Sequence, residues 1–343
     1  MHALLAALVA TALVQDPRLD AAAREMARAA AEAGDLSPLG DGRALRLAIT
    51  RAGMWMGEPH VLGVIARDPE RGARRLRERI DGEPGLRPTH LGLGSAPLGD
   101  GNHAVIAIFG RVAVEWAEAV PTQVPAGSLL RLRGRLLGGL DHPQLHVVPP
   151  GGQPVRLPVE RDGPWFEATL HLRTPGRTVI EVMGVGAQGP EVALLGHVYV
   201  GEAIPAPGSA AAQGPRDTEA MEAELAALRR RRGLEPLRRD PRLDAVAQAY
   251  ADELIATERF AHHSPRSGKV GDRLRRAGYP FRIAGENLGE GPDPAAAHHA
   301  ILQSPAHLAA LLEPRFRSLG IGMATREKGR RTRVVLVHVL ADP

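Results

Sequence analysis

Three polar residues in the last third of the chain have the types that metal and acid–base chemistry use. His262 follows an apolar helical segment, Glu286 lies in a predicted Gly-Glu-Asn turn, and His307 comes just inside a predicted helix. Neutral imidazoles and a carboxylate are suitable zinc ligands, and three protein ligands leave one position for water. The spacings of 24 and 21 residues carry no metal pattern of their own. A structural hydrogen-bonded cluster is therefore the alternative to a binding or catalytic site.

Local context distinguishes these three residues from other polar residues nearby. His307 falls in the first turn of its helix, where the positive end of the dipole disfavours an imidazolium and keeps a nitrogen lone pair available. Adjacent histidines on a helix face different ways, and Ser or Asn in turns commonly bond the backbone. We therefore expect structural or solvent-facing roles for His263, Ser264, Asn287, His298 and His299.

The composition excludes several classes of protein. A chain of 343 residues predicts two or three domains, and with 3% aromatic residues the cores must depend on Leu, Val, Ile and Ala. The net charge of +4 is small, and no basic tract is interleaved with aromatics, so nucleic-acid binding is not predicted. The absence of Cys excludes disulfides and thiolate sites. No Gly-x-Ser-x-Gly, P-loop or His-Glu-x-x-His pattern occurs.

The N-terminus carries an apolar run at residues 3–14 that is too short to span a bilayer. It resembles the apolar region of a secretory signal, although a positive segment before it is missing. The alternative is a truncated core helix. We assign residues 1–15 to one of these two and expect no transmembrane segment elsewhere.

The C-terminal part, residues 216–343, reads as helices followed by strands. Asp240-Pro241, Asp293-Pro294 and Ser304-Pro305 combine an N-cap residue with proline at the first helical position. Strands are predicted at 317–324 and 332–340. Helices first and strands later indicate an α+β domain.

An internal repeat connects this part to the beginning of the chain. DPRLDAAA at 16–23 matches DPRLDAVA at 240–247, and LGLGSA at 91–96 matches LGIGMA at 319–324, with shifts of 224 and 228. The repeat predicts a duplicated domain of about 100 residues, with the first copy at 16–118. That copy lacks counterparts of the histidines, and only Glu58 could correspond to Glu286. We predict that it is inactive and structural.

The middle of the chain differs from both copies. Residues 119–203 contain short alternating runs separated by Gly, Pro and Asp, a pattern typical of an immunoglobulin-like β-sandwich. Its four histidines, His142, His146, His171 and His197, are interpreted as surface or cross-strand residues. Residues 204–215, rich in Pro, Gly and Ala, are predicted to be a linker.

The motifs of residues 216–343 together resemble the CAP superfamily in its bacterial, SCP-like form. They are Leu234-Glu235-Pro236-Leu237, Phe260-Ala261-His262-His263-Ser264-Pro265, Asp272-Arg273, Ala277-Gly278-Tyr279, Gly285-Glu286-Asn287, Ser304-Pro305-Ala306-His307 and Leu319-Gly320-Ile321-Gly322. The resemblance implies an α-β-α sandwich on a secreted or envelope protein. It also implies a cleft with two His and two Glu, which in some members binds zinc or another divalent cation.

Carried over by residue, His262 and His307 match the two histidines and Glu286 matches one glutamate. The second glutamate would lie near Ser304 and is missing, and Ile301 stands where the family often has Trp. Three functions remain open. The first is an extracellular or envelope-associated protein that binds a lipid, glycan or protein ligand in the cleft. The second is a zinc-dependent hydrolase of peptidase type that uses the same three residues. The third is a purely structural interaction protein.

Overall fold

A computed structural model describes residues 13–82, 88–206, 214–328 and 331–342. Residues 1–12, which hold most of the predicted signal, and residues 207–213, which hold most of the predicted linker, lie outside these ranges. The described chain forms two compact units, which divide between Val112 and Ala113. Within the described ranges, no helix is both long enough and apolar enough to cross a bilayer.

The first unit contains three α-helices, one 3-10 turn at Ser37–Gly40 and a four-stranded sheet. Its elements are β1 (Val14–Gln15), α1 (Pro17–Ala33), α2 (Gly42–Arg51), β2 (His60–Ala66), α3 (Pro69–Asp81), β3 (His90–Gly99) and β4 (Asn102–Gly110). The sheet order is β1-β3-β4-β2, with β1 parallel to β3 and the other pairs antiparallel. Strand β4 ends at Gly110, and Val114 pairs with Leu136 in the next unit.

The second unit begins with the β-sandwich, the nine strands β5 to β13. They are β5 (Val114–Trp116), β6 (Gln123–Val124), β7 (Ser128–Leu136), β8 (Asp141–Val148), β9 (Val155–Leu157), β10 (Glu160–Asp162), β11 (Trp165–Leu172), β12 (Gly176–Gly186) and β13 (Gly189–Val200). One sheet has the order β10-β11-β7-β5 and the other β6-β13-β12-β8-β9. The immunoglobulin-like pattern predicted from the sequence is consistent with these two sheets.

The two sheets of the β-sandwich differ in how they are covered. Strands β7 and β11 alternate buried and exposed residues, as expected for a sheet with one wet face. In β12, by contrast, every residue from Thr178 to Gly184 is buried. Both faces of the second sheet are therefore covered, and the outer face is covered by the domain that follows.

The C-terminal domain, the described residues from 214 to 342, has three layers. Its elements are α4 (Thr218–Arg231), β14 (Arg238–Arg239), α5 (Pro241–Thr257), α6 (Val270–Arg276), β15 (Ile283–Gly291), α7 (Pro294–Gln303), α8 (Pro305–Leu311), β16 (Ser318–Lys328) and β17 (Arg331–Asp342). The sheet order is β14-β16-β17-β15, so β15 is an edge strand. One face of the sheet packs on α5 and α6, and the other packs on α4 and α7. The α-β-α arrangement expected from the resemblance is present.

Aspartate and serine caps start five of the helices, and those at Asp240, Asp293 and Ser304 were predicted from the sequence. The side chains of Asp16, Asp217, Asp240, Asp293 and Ser304 each accept a hydrogen bond from a backbone N–H in the first turn of α1, α4, α5, α7 and α8 respectively. Proline follows at the start of every one of these helices except α4, and there its fixed φ suits the helix and its missing N–H costs nothing.

The sheets of the first unit and of the C-terminal domain share one topology, which supports the duplication hypothesis. The strands of each sheet are numbered here in chain order. In both sheets the first strand has two residues and is parallel to the third. The third strand is antiparallel to the fourth, and the fourth is antiparallel to the second. A glycine of the third strand meets the helix backbone in both: a Cβ on Gly92 would lie 2.1 Å from the carbonyl carbon of Leu19, and one on Gly320 would lie 2.2 Å from that of Leu243.

This shared register identifies the true counterpart of Glu286. Gly320 pairs with Val339, which pairs with Glu286. In the first unit, Gly92 pairs with Ile108, which pairs with Val61. Val61 therefore occupies the position of Glu286, and the correspondence with Glu58 expected from the sequence is wrong.

Candidate functional site

The three predicted residues come together at the open edge of the C-terminal sheet. His262 lies in the loop between α5 and α6, Glu286 lies on edge strand β15, and His307 lies in the first turn of α8. The Nδ1 atom of His262 is 2.9 Å from Oε1 of Glu286, and the rings of His262 and His307 are 6.3 Å apart between centroids. The sequence placed Glu286 in a turn. It is on a strand instead, because the whole Gly-Glu-Asn segment pairs with β17.

Arg273 on α6 fixes the carboxylate of Glu286. Its Nη2 atom forms an ion pair with Oε2 of Glu286, and both side chains are almost fully buried. The guanidinium also lies over the ring of Tyr250, 3.4 Å from its centroid, in a cation–π contact. Burial, and then the charge of Glu286, raise the pKa of Tyr250 to about 12. We define the cleft cluster as His262, Glu286, His307 and Arg273.

The sequence contained Arg273 within a family motif but gave it no role. A signal was nonetheless present, because Arg273 directly precedes Leu274, a core residue of the short helix α6. A charged side chain next to a core position must find a partner inside the protein or reach water. The sequence alone does not say that this partner is Glu286, 13 residues away on another element.

The two histidines of the cluster differ in their environments. The side chain of His262 keeps 25% of its surface exposed. Burial lowers the pKa of His307 to about 3, and the positive charge that His262 can carry adds to the effect. His307 is therefore a neutral imidazole at neutral pH, as its place in the helix predicted. Within the described chain, its buried Nδ1 atom has no hydrogen-bond partner.

The segment before His307 is attached to the C-terminal sheet on one side and to the β-sandwich on the other. The side-chain amide of Asn287 donates a hydrogen bond to the carbonyl oxygen of His307 at 3.0 Å. Asn287 bonds the backbone, as predicted, but from a strand rather than a turn. On the other side, Glu181 of β12 accepts hydrogen bonds from Oγ of Ser304 at 2.6 Å and from the backbone N–H of Ala306 at 2.8 Å.

Glu181 is fully buried and was missed in the sequence. The resemblance placed the missing second glutamate of the cleft near Ser304. The structure brings a carboxylate to Ser304 from a strand that lies 123 residues earlier in the chain. The only local signal was an acidic residue inside the apolar run TVIEVMGV, a pattern that normally indicates a buried polar contact.

A second pair of histidines lies on the opposite face of the sheet. His338 on β17 is fully buried, and its ring meets that of His298 on α7 at 5.8 Å in a T-shaped contact. The Nε2 atom of His298 is 3.3 Å from a carboxylate oxygen of Glu224 on α4. Burial lowers the pKa of His298 and holds the pKa of His338 well below its usual value. No role was predicted for His338 from the sequence.

Some of the remaining histidines are exposed and others are buried. His263 and His299 are exposed, as expected, whereas His298, adjacent to His299, is buried. In the β-sandwich, His142 and His171 are exposed, while His197 is buried opposite Val179.

The cleft cluster does not fit a zinc site with three protein ligands. Both oxygens of Glu286 are engaged, one by His262 and the other by Arg273, whose positive charge opposes a bound cation. Across residues 13–82, 88–206, 214–328 and 331–342, no group of three or more His, Asp or Glu side chains is arranged to hold a metal ion. The expectation of zinc or another divalent cation stays a prediction for titration.

A three-layer α-β-α domain with a His–Glu cluster at the edge of its sheet defines the class of this part of the chain. The sequence profile of the cysteine-rich secretory protein (CAP) family matches residues 223–339. Residues 223–339 are therefore a CAP domain, and the bacterial form expected from the motifs agrees with the relatives below.

Similar proteins come from several bacteria. The uncharacterized protein YkwD of Bacillus subtilis (strain 168) is 31% identical over 118 residues, which cover 34% of this chain and 44% of YkwD. The chain thus matches less than half the length of that relative. Among solved structures, an outer surface protein of Borrelia burgdorferi is 24% identical over 38% of this chain and 98% of its own, with a TM-score of 0.32. An extracellular SCP-domain protein of Bacillus anthracis is 17% identical over 68% and 86%, with a TM-score of 0.31.

Proposed function

We propose that this chain is a secreted or envelope-associated bacterial protein whose CAP cleft binds a ligand through His262, Glu286 and His307. The location is supported by the family, described as secretory, and by relatives described as extracellular or outer surface proteins. The role of the cleft is supported by its geometry.

The observation that carries the proposal is the fully engaged carboxylate of Glu286. A general base must have a free oxygen within reach of the proton that it removes. Glu286 instead bonds Nδ1 of His262 and pairs with Arg273, so it orients the imidazole and leaves Nε2 of His262 as the ring nitrogen available to a ligand. This geometry fits recognition better than proton transfer.

The chemistry of the ligand follows from the imidazoles. His307 is neutral, and its rigid backbone is held by Asn287. Neutral imidazole nitrogens accept hydrogen bonds, so the cleft favours ligands with donors, such as hydroxyl groups of a glycan or lipid head group or N–H groups of a protein segment.

Two alternatives remain for experiment. A zinc-dependent hydrolase would need the carboxylate of Glu286 to leave Arg273 or a further ligand to enter the cleft. A structural cluster would need no ligand at all, and its loss would only lower stability.

The test uses the full chain and an envelope extract separated into lipid, glycan and protein fractions. Binding is read as protection from hydrogen exchange at β15, at α8 and in the His262 loop. The site variant is H262A/H307A, and the matched control is H263A, which removes an exposed neighbouring imidazole. We expect one fraction to protect the wild type and H263A but not H262A/H307A.

Two results would contradict the proposal. If no fraction protects the cleft and H262A/H307A is only less stable, the cluster is structural. If calorimetry with Zn²⁺ instead finds one site in the wild type that H262A/H307A lacks, the cluster is a metal centre and hydrolase substrates should be screened.

A further inference from the structure

The β-sandwich lies directly against the segment that carries His307. Helix α8 packs on strands β8 and β12. Along β12, Arg177 donates to the side-chain oxygen of Gln303 at 3.2 Å, and Glu181 binds Ser304 and Ala306. One strand of the β-sandwich thus follows the junction between α7 and α8.

The same strand leads to the other histidine of the cleft. β12 turns into β13 between Gly186 and Gly189. A Cβ placed on Gly189 would be 4.0 Å from Cβ of His262, so the turn lies against the loop that holds this imidazole. The β-sandwich therefore touches the cleft at both of its histidine-bearing segments.

The contact is anchored by a buried carboxylate rather than by apolar packing alone. Glu181 lies on the central strand of its sheet, with His146 and Leu195 as neighbours on the same face. A buried charge is costly unless hydrogen bonds satisfy it, and the two bonds from Ser304 and Ala306 come from the C-terminal domain. Separating the two domains would remove both hydrogen bonds from Glu181 at once. We call this contact of Glu181 with Ser304 and Ala306 the latch.

A further contact between the two parts is also polar. Arg232, just after α4, donates to the carbonyl oxygen of Gly151 in the β-sandwich at 3.0 Å. Polar contacts of this kind are typical of domain interfaces that open and close, whereas permanent interfaces are more apolar.

We propose that the β-sandwich is a lid on the CAP cleft, held closed by the contact of Glu181 with Ser304 and Ala306. The consequence for ligand binding rests on the proposed function: a ligand reaches His307 fully only when this latch opens. The lid itself can be tested without any ligand.

The test measures how fast diethyl pyrocarbonate modifies each histidine of the full-length protein. Mass spectrometry separates His262 and His307 in the cleft from His60, His90 and His103 in the first unit, which serve as internal references. The latch variant is E181A. The matched control is E167A, which removes a carboxylate from the other sheet of the β-sandwich, where it pairs with Arg131.

We expect E181A to accelerate modification of His262 and His307 at least about tenfold, the factor that corresponds to roughly 1.4 kcal/mol of latch energy. The reference histidines and the E167A protein should show no change. E181Q keeps the shape and can still accept from Ala306, so it should lie between the wild type and E181A. If E181A does not fold, E181Q provides the comparison.

Unchanged rates at His262 and His307 in a folded variant would overturn the lid. Equal acceleration at all histidines would also overturn it, because the carboxylate would then stabilise the whole protein rather than close the cleft. Neither result depends on ligand binding, so a failure of the lid is distinguishable from a failure of the proposed function.

Discussion

Mild acid should destabilise the C-terminal domain through its buried histidines, and His338 offers the sharpest test. This side chain is fully buried on β17, and neither ring nitrogen has a hydrogen-bond partner within the described residues. Burial holds its pKa well below the usual value, and the charges of His298 on α7, His307 on α8 and Arg239 on β14 act in the same direction. Glu224 on α4 is the acidic group that faces this pair of histidines, through His298.

The sign of the effect follows from proton linkage. The unfolded chain protonates His338 as the pH falls through about 6.5, whereas the folded protein does not. The unfolded state therefore binds more protons below that pH, and stability falls with the pH. The loss approaches about 1.4 kcal/mol per pH unit only below about pH 6.5, so it amounts to about 2 kcal/mol between pH 7.5 and pH 5. Total stabilities are typically only about 5–15 kcal/mol, so the effect is measurable.

The assay compares the wild type with H338L in urea at pH 7.5, 6 and 5. Unfolding of the C-terminal domain is read from peroxide oxidation of Met221, which is fully buried in the same core region. Met26 and Met56 are buried in the first unit and report whether that unit is affected. H263L removes an exposed imidazole and serves as the matched control.

We expect H338L to gain about 2 kcal/mol relative to the wild type between pH 7.5 and pH 5. His298 and His307 remain in both proteins, so their contributions cancel in this difference. A constant difference across the pH range would refute the reasoning, as would an equal gain for H263L.

The remaining predictions concern packing and charge around the site. R273A should destabilise the C-terminal domain by about 3–5 kcal/mol in urea unfolding, because Glu286 would keep a buried charge without its partner. The control is R275A, at an exposed arginine of the same helix, and a similar loss of stability in R275A would contradict the prediction. G320A should reduce the yield of folded protein, since the new Cβ would lie 2.2 Å from the backbone of Leu243. The control G271A places its Cβ at ordinary contact distances, so it should change the free energy of unfolding by no more than about 1 kcal/mol. Ultraviolet titration should find one tyrosine that ionises near pH 12, and Y250F should remove it.

Much of the fold could be predicted because local chemistry specifies it. Aspartate followed by proline marks the starts of α1, α3, α5 and α7, and the caps are formed as expected. The glycines of LGLG and LGIG are required where strands cross helix backbones. Strand β15 was missed because its glycines and polar residues, IAGENLGEG, do not follow the alternation of a half-buried strand.

The site was predicted only in part for a different reason. His262, Glu286 and His307 were found by their motifs, but a motif does not show which other residues its side chains contact in the folded protein. Arg273 and Glu181 both act across long sequence separations, 13 and 123 residues from the groups that they bind. Glu181 in particular belongs to a part of the chain that reads as an independent module, so its contact with Ser304 depends on how the β-sandwich packs.

A comparison of the first unit with the C-terminal domain indicates that three polar residues of the C-terminal sheet are not needed for its topology. Through the shared register, Glu286, Asn287 and His338 correspond to Val61, Leu62 and Ala107. The first copy thus builds the same sheet topology with apolar residues at all three positions.

Buried polar groups of this kind lower stability unless every one is satisfied, and apolar replacements are often neutral or stabilising. The C-terminal domain nevertheless keeps a buried carboxylate and a buried arginine in the cleft cluster, and two buried histidines, His298 and His338, on the opposite face of the sheet. Residues that lower local stability are found most often at functional sites. The triple replacement E286V/N287L/H338A, made together with R273L, should therefore give a folded protein whose cleft cluster keeps only the imidazoles of His262 and His307. If that protein folds but no envelope fraction protects its cleft, the cluster exists for binding. If it cannot fold, the cluster is structural in this copy despite the example of the other.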